Sequence, residues 1–244
     1  MQEGKEKLLK ESLVHPEYHF DVKLFYAINE PDLCREYLRQ HRKVLEDYGI
    51  KNVSSNKDTW MHNPHVLCAV IVEPATGEMV GGVRVQRASK DFDLPIEKAI
   101  GRLDYKLLID INKHAPKVVA ELCGLWTSNK VRGYGLSTPL TRFGIHMLQK
   151  IDTNWCLCLC AQYTKYLVKR HGFQEDERYG KKGKFDYPDD RYIASVMSLT
   201  PEMKDPSFIS EKKLMEDLRN HISTSREMIS CHFLKFNIES CLDV

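Results

Sequence analysis

Apolar, β-branched runs alternate with amphipathic stretches along most of this chain, and that alternation restricts it to a sheet covered by helices. Residues 19–29, HFDVKLFYAIN, read as a first strand. Pro31 then opens a helix in which Leu33, Tyr37, Leu38, Val44 and Leu45 recur at roughly helical spacing. VLCAVIVEP and EMVGGVRVQRA, joined through Gly77, predict an antiparallel hairpin. Pro95 starts one further helix, PIEKAIGRLDYKLLIDINKH; VVAELCGLW is a strand and LTRFGIHMLQKI a helix. WCLCLCAQ, YTKYLVKRHGF and RYIASVMSL follow as strand, helix and last strand. The order β-α-β-β-α-β-α-β-α-β predicts an α/β (α+β) fold with a mixed sheet over residues 1–200, followed by a helical C-terminal appendix over 201–244. In that appendix Leu214, Leu218, Ile222 and Ile229 line one face, which needs the main domain or a second copy of the chain, as in a homodimer, to bury it.

Composition excludes several classes. A net charge of +2 over 244 residues gives no support for a nucleic-acid partner. No apolar run approaches the ~20 residues needed to span a bilayer, so no membrane span is expected. The charged first residues lack a signal-peptide core, and the expected setting is cytoplasmic. Cys156, Cys158 and Cys160 alternate along one strand, which puts neighbouring thiols about 6.5–7 Å apart. Thiolates sharing one zinc lie near ~4 Å, so these cysteines read as reduced, buried and small, and no metal is expected.

The segment NKVRGYGLSTPL, residues 129–140, sets Gly133 and Gly135 between an apolar run and a helix. It is either an ordinary strand-to-helix turn or an anion site made of backbone N–H groups. A phosphate loop of the GxxxxGK-Ser/Thr type is absent. The dinucleotide fingerprint fails too, because Ser137, Thr138 and Pro139 stand where its third glycine belongs. Lys130-Val131-Arg132-Gly133-Tyr134-Gly135 instead resembles the pyrophosphate loop, Gln/Arg-x-x-Gly-x-Gly/Ala, of the GCN5-related N-acetyltransferase (GNAT) superfamily, and Lys130 keeps the positive charge. The order of elements agrees with that fold. VGGVRVQRASKDFDLPIEKAI, AELCGLW and YGKKGKFDYPDDRYIASVMSL resemble segments of acyl-homoserine-lactone synthases and N-acyl amino acid synthases. Where those synthases carry Glu-x-Ser-Arg, this chain has Glu121-Leu122-Cys123-Gly124, and Val168 stands where other members often carry a tyrosine.

The resemblance implies an N-acyltransferase taking acyl-CoA or acetyl-CoA, or an acyl carrier protein thioester, and passing the acyl group to a small-molecule amine. Backbone N–H groups of Val131, Arg132, Gly133, Tyr134, Gly135, Leu136 and Ser137 would bind the donor pyrophosphate, with charge from Lys130 and Arg132. The strand Leu125-Trp126-Thr127 would pair with the pantetheine amides. Glu121, the carboxylate within VVAELCGLW, is either a general base or half of a structural ion pair with Arg84. Tyr163 and Tyr166 either protonate the leaving thiolate or pack in the core. Lys165, Lys169 and Arg170, with Lys181, Lys182 and Lys184, either meet a CoA phosphate or an acidic carrier protein, or form a solvated face. Trp60, His62 and His65 either cover an acceptor or cap the core. Two alternatives stand beside transfer to a general amine. One is synthesis of a lactone autoinducer or N-acyl amino acid from a longer acyl chain; the other is a binding protein for acyl thioesters that has lost the chemistry.

Overall fold

The computed structural model describes residues 16–50, 57–114, 118–151, 153–200, 224–229 and 232–242. Its strands are β1 (Glu17–Tyr26), β2 (Val66–Glu73), β3 (Glu78–Arg87), β4 (Val119–Thr127), β5 (Trp155–Ala161), β6 (Gln174–Glu175), β7 (Lys184–Asp186), β8 (Ile193–Leu199), β9 (Thr224–Ile229) and β10 (His232–Ser240). They form one mixed sheet in the order β6-β8-β5-β4-β3-β2-β1-β10-β9, with β7 also on β8. Among the described pairs, β1–β10 and β4–β5 are parallel and the others antiparallel. The central strands β2 and β3 are covered on both faces, which is why they read as nearly continuous apolar runs.

Helices α1 (Pro31–Asp47), α2 (Pro95–Ile100), α3 (Tyr105–His114), α4 (Ser137–Lys150) and α5 (Lys165–Arg170) complete the fold. On one face α4 brings Leu140, Phe143 and Met147 against Val83, Leu122 and Cys158. Cys156, Cys158 and Cys160 lie together in that core as free thiols. On the other face, Tyr37 and Leu38 of α1 pack with Trp60, Cys68 and Trp126, and α2 and α3 pack against Val119, Leu157 and Val196. Among the described residues no helix is long and apolar enough to cross a membrane.

Two expectations are corrected. The helix starting at Pro95 breaks into α2 and α3. A Cβ on Gly101 would lie 2.4 Å from the Glu97 carbonyl oxygen, and Asp104 caps a new start by accepting from the amide of Lys106 at 2.9 Å. The second correction concerns the C-terminal segment. Residues 201–223, with Leu214, Leu218 and Ile222, lie outside the described residues, but Ile229 falls in a strand and β9 and β10 are not helical. The reason is a period of two, since Leu234 and Phe236 are buried while Lys235 and Asn237 turn outward. β10 adds a parallel strand beside β1, and Phe236 packs edge-on to Phe143, with ring centres 5.9 Å apart. Truncating Phe236 to Ala is therefore expected to cost about 3–5 kcal/mol. That corresponds to a melting temperature lower by roughly 6–20 °C in a chain of this size. An unchanged melt would mean that β10 is not part of the cooperative core.

Candidate active site

β4 and β5 are paired only from Val119↔Trp155 to Glu121↔Leu157, although β4 continues to Thr127 and β5 to Ala161. Beyond Glu121 the two strands part. The cause lies in β4, where Gly124 and Leu125 together stand opposite the single residue Val83 of β3. Gly124 has φ +60, the left-handed conformation that defines a glycine bulge, and such a bulge bends its strand. Tyr37 fixes the bend by donating its hydroxyl to the Gly124 carbonyl oxygen.

The gap is a cleft of about 180 Å³. Its walls come from the parted strands, including Leu125 and Cys160, from Val168 of α5, and from His41, Leu45 and Pro95 on the α1–α2 face. Because residues from both faces of the sheet line it, the cleft passes through the sheet between β4 and β5. Tyr163, Tyr187 and Tyr192 stand at the rim, and the Tyr192 hydroxyl donates to the Tyr48 carbonyl oxygen at 2.9 Å, tying the β7–β8 connection to the end of α1.

Glu121 lines the cleft where the strands separate. It is 2 % exposed, and its Oε2 accepts the backbone N–H of Ile96 at 2.7 Å. Burial pushes its carboxyl up to about 8, against the opposing pull of that hydrogen bond and of the Arg84 charge. Arg84 is fully buried, with its guanidinium carbon 4.3 Å from the centre of the Trp60 ring. Both functions named for Glu121 thus draw on the same geometry, since Arg84 favours the carboxylate that a base needs. Trp60 caps the core beneath this cluster, His62 is exposed, and the His65 ring meets Arg87 at 2.9 Å.

Past Thr127, β4 runs into the glycine loop. Gly133 and Gly135 have φ +86 and +74, bracketing Tyr134, whose ring stacks on Tyr18 at 4.3 Å between centres. Several amides expected to bind phosphate already have acceptors. Val131 N–H donates to Ser128 O at 3.1 Å, Arg132 N–H to Asn129 O at 3.2 Å, and Tyr134 N–H to Val131 O at 3.2 Å. Gly133, Gly135, Leu136 and Ser137, at the loop tip and the start of α4, keep amides with no acceptor among the described residues. This is the arrangement that suits an anion, with the N-terminus of a 14-residue helix behind it. The side chain of Lys130 meets Glu78, and Arg132 reaches Asn129 at 2.9 Å; both are exposed and free to exchange these contacts for another anion.

Leu125 lines the cleft, Trp126 is buried against Tyr37, and Thr127 pairs with Gly81 of β3, so all three present their other backbone edge to the gap. Tyr163 and Tyr166 are each 71 % exposed, so neither packs in the core; Tyr163 stands at the rim, and Tyr166, on α5, lies outside the cleft lining. Val131 and Leu136 are buried supports of the loop. Lys165 pairs with Glu175, while Lys181, Lys182 and Lys184 are exposed. His41 was not anticipated as a cleft residue. It continues the stripe of Tyr37, Leu38 and Leu45 at helical spacing, and a histidine on an apolar stripe is the signal that could have found it.

No protein-family model matches this chain, and no curated protein sequence matches it. Solved structures do. An N-acyl amino acid synthase from uncultured soil microbes, FeeM, aligns with a TM-score of 0.58 at 13% identity, over 80% of this chain and 97% of that one. The CoA-dependent acyl-homoserine lactone synthase MesI aligns with a TM-score of 0.52 at 9% identity, over 86% and 98%. A second such synthase, BjaI, solved with SAM and isopentyl-CoA, gives 0.51 at 10%, over 87% and 92%. With its parted β4 and β5 and its glycine loop at the start of α4, the chain has the fold of these proteins, the GNAT fold.

Proposed function

We propose that this protein is an N-acyltransferase that moves an acyl group from acyl-CoA to a small-molecule amine. The observation that carries the proposal is the parting of β4 and β5 directly beyond a buried carboxylate, on a strand that leads into four loop amides with no acceptor among the described residues. The amides of Gly133, Gly135, Leu136 and Ser137 hold the pyrophosphate, helped by Lys130 and Arg132. The open backbone edge over Leu125, Trp126 and Thr127 pairs with the pantetheine amides and carries the thioester into the cleft. From the α1–α2 face the acceptor nitrogen attacks the thioester carbonyl carbon, the C–N bond forms and the C–S bond breaks. Glu121 takes the proton that frees the amine from its ammonium; the nitrogen gives up a second proton as the amide forms, and that proton replaces the one the departing thiolate takes at the rim, where Tyr163 stands.

The donor side of the cleft supports a chain longer than acetyl. Leu122, Cys158, Cys160 and Val168 are small or slender apolar walls, and Val168 leaves space that a tyrosine would fill. FeeM, MesI and BjaI are synthases of acylated amino acids or lactones, which agrees with this reading. The test is native mass spectrometry of the purified protein, then thiol release from acetyl-, hexanoyl- and decanoyl-CoA with a panel of amines. A protein that binds no CoA by calorimetry overturns the proposal. One that binds CoA but releases no thiol with any amine is a binding protein only.

The loop has its own test. Gly133 is exposed, and a Cβ there meets nothing within 4 Å, so Gly133→Val strains the φ of +86 without a clash in the core. CoA affinity is expected to fall roughly 10–100-fold as two or more phosphate contacts weaken. The fold is expected to survive, with the melting temperature lowered by no more than the local backbone strain of about 1–3 kcal/mol, roughly 2–12 °C in a chain of this size. Calorimetry with CoA beside a thermal melt checks both.

A further inference from the structure

We infer that His41 is the acceptor-reading residue of the cleft, receiving the oxygen-bearing group of an apolar primary amine. This rests on the acyltransfer reading for the amine itself. His41 lines the cleft from α1, on the same side of the sheet as the Ile96 amide that holds Glu121. It is 4 % exposed, and its Nδ1 is buried with no hydrogen-bond partner among the described residues. A buried imidazole nitrogen without a partner costs free energy unless a ligand or water supplies one. The Tyr37 ring packs edge-on against it at 6.1 Å between centres and fixes its direction without satisfying it.

The chemistry around His41 defines what it takes. Burial, with the charges of Arg84 and Arg42 adding to it, holds the imidazole down at about 3, so it is neutral and offers one donor and one acceptor. The walls beside it, Leu45, Ile50, Pro95 and Pro188, are apolar and suit a hydrocarbon or aromatic body. The buried guanidinium of Arg84, which meets Tyr37 at Gly124 behind the imidazole, disfavours a second ammonium and favours an oxygen group, either hydroxyl or carboxylate. Glu121, on the same side of the sheet, receives the reacting nitrogen. The acceptor therefore carries one amine and one oxygen group on an apolar body, and diamines are rejected.

The test compares 2-phenylethylamine, phenylalaninol, phenylalanine and 3-phenylpropane-1,2-diamine at saturating CoA. Binding is read by calorimetry, and turnover with hexanoyl-CoA by thiol release. Wild type is expected to prefer phenylalaninol or phenylalanine over 2-phenylethylamine by roughly 10–100-fold, the worth of a buried hydrogen bond left unmade. The diamine is expected to bind worst. His41→Phe keeps the bulk and abolishes the preference with CoA affinity unchanged; His41→Gln, which can still hydrogen-bond, restores part of it. Whichever oxygen compound binds better identifies the group as hydroxyl or carboxylate. If His41→Phe weakens all amines equally, or leaves the preference intact, or if wild type binds none of them, the inference is overturned. A His41-dependent preference in binding without any thiol release supports it and removes the acyltransfer reading alone.

Discussion

Replacing Glu121 with Gln is expected to cut turnover by about 10²–10⁴-fold while CoA binds as before. Gln matches Glu in size, and its carbonyl oxygen can still accept the Ile96 amide, so only the proton-accepting step is lost. Wild-type turnover should rise with pH to a plateau above about 8, where the carboxyl is ionised; at pH 7 roughly one molecule in ten carries the charge. Stability moves the other way. The folded carboxyl keeps its proton between its ordinary 4.5 and about 8, whereas the unfolded chain has already released it there. Wild-type stability is therefore greatest with respect to this group below that window, and declines through it by at most ~1.4 kcal/mol per pH unit. Glu121→Gln lacks this decline and should melt progressively above wild type as pH rises toward 8. If Glu121 served as a structural partner of Arg84, the variant would melt lower and turn over normally per folded molecule. A pH–rate profile beside melts across the same range separates the two outcomes.

What was legible in the sequence was local. Pro31, Pro95 and the Gly77 turn mark their elements because each acts through its own backbone. Glu121 stood out because a carboxylate inside an apolar strand is rarely neutral in its consequences. The loop glycines could be read because positive φ is a property of the residue itself, and both have it. What escaped depends on partners distant in the chain. The bulge at Gly124 exists only relative to Val83 on β3, so Cys123-Gly124-Leu125 read as plain strand. His41 acquires its meaning only when α1 lies over a gap between two strands, β4 and β5, that come much later in the sequence. The two-residue alternation of β10 is present in HFLKFNIES, but one of its two partner strands, β1, comes from the other end of the chain. Which loop amides are already taken depends on where the Ser128, Asn129 and Val131 carbonyls fall in the folded turn, and spacing alone does not give that.

Gly124→Val should be the most damaging single change to the cleft. Its φ of +60 is strained for any side chain, and a Cβ there would lie 2.8 Å from the Tyr37 hydroxyl oxygen. The backbone strain is worth about 1–3 kcal/mol. By itself that lowers the melting temperature by roughly 2–12 °C in a chain of this size. The strand can relieve the strain by abandoning the bulge, which would straighten β4, shift its register against β3 and close the gap toward β5. CoA binding is therefore expected to weaken by on the order of 100-fold or more, since both the backbone edge and the direction of the following loop depend on the bend. Gly124→Ala combined with Tyr37→Phe separates the two causes. Removing the hydroxyl takes away the clash and also a hydrogen bond to the Gly124 carbonyl oxygen, but leaves φ as demanding as before. The double variant should regain part of the lost melting temperature relative to Gly124→Ala alone, while CoA affinity stays low. Recovery of affinity along with stability would assign the damage to the Tyr37 contact. Wild-type affinity in Gly124→Val would show that the bulge does not hold the cleft open.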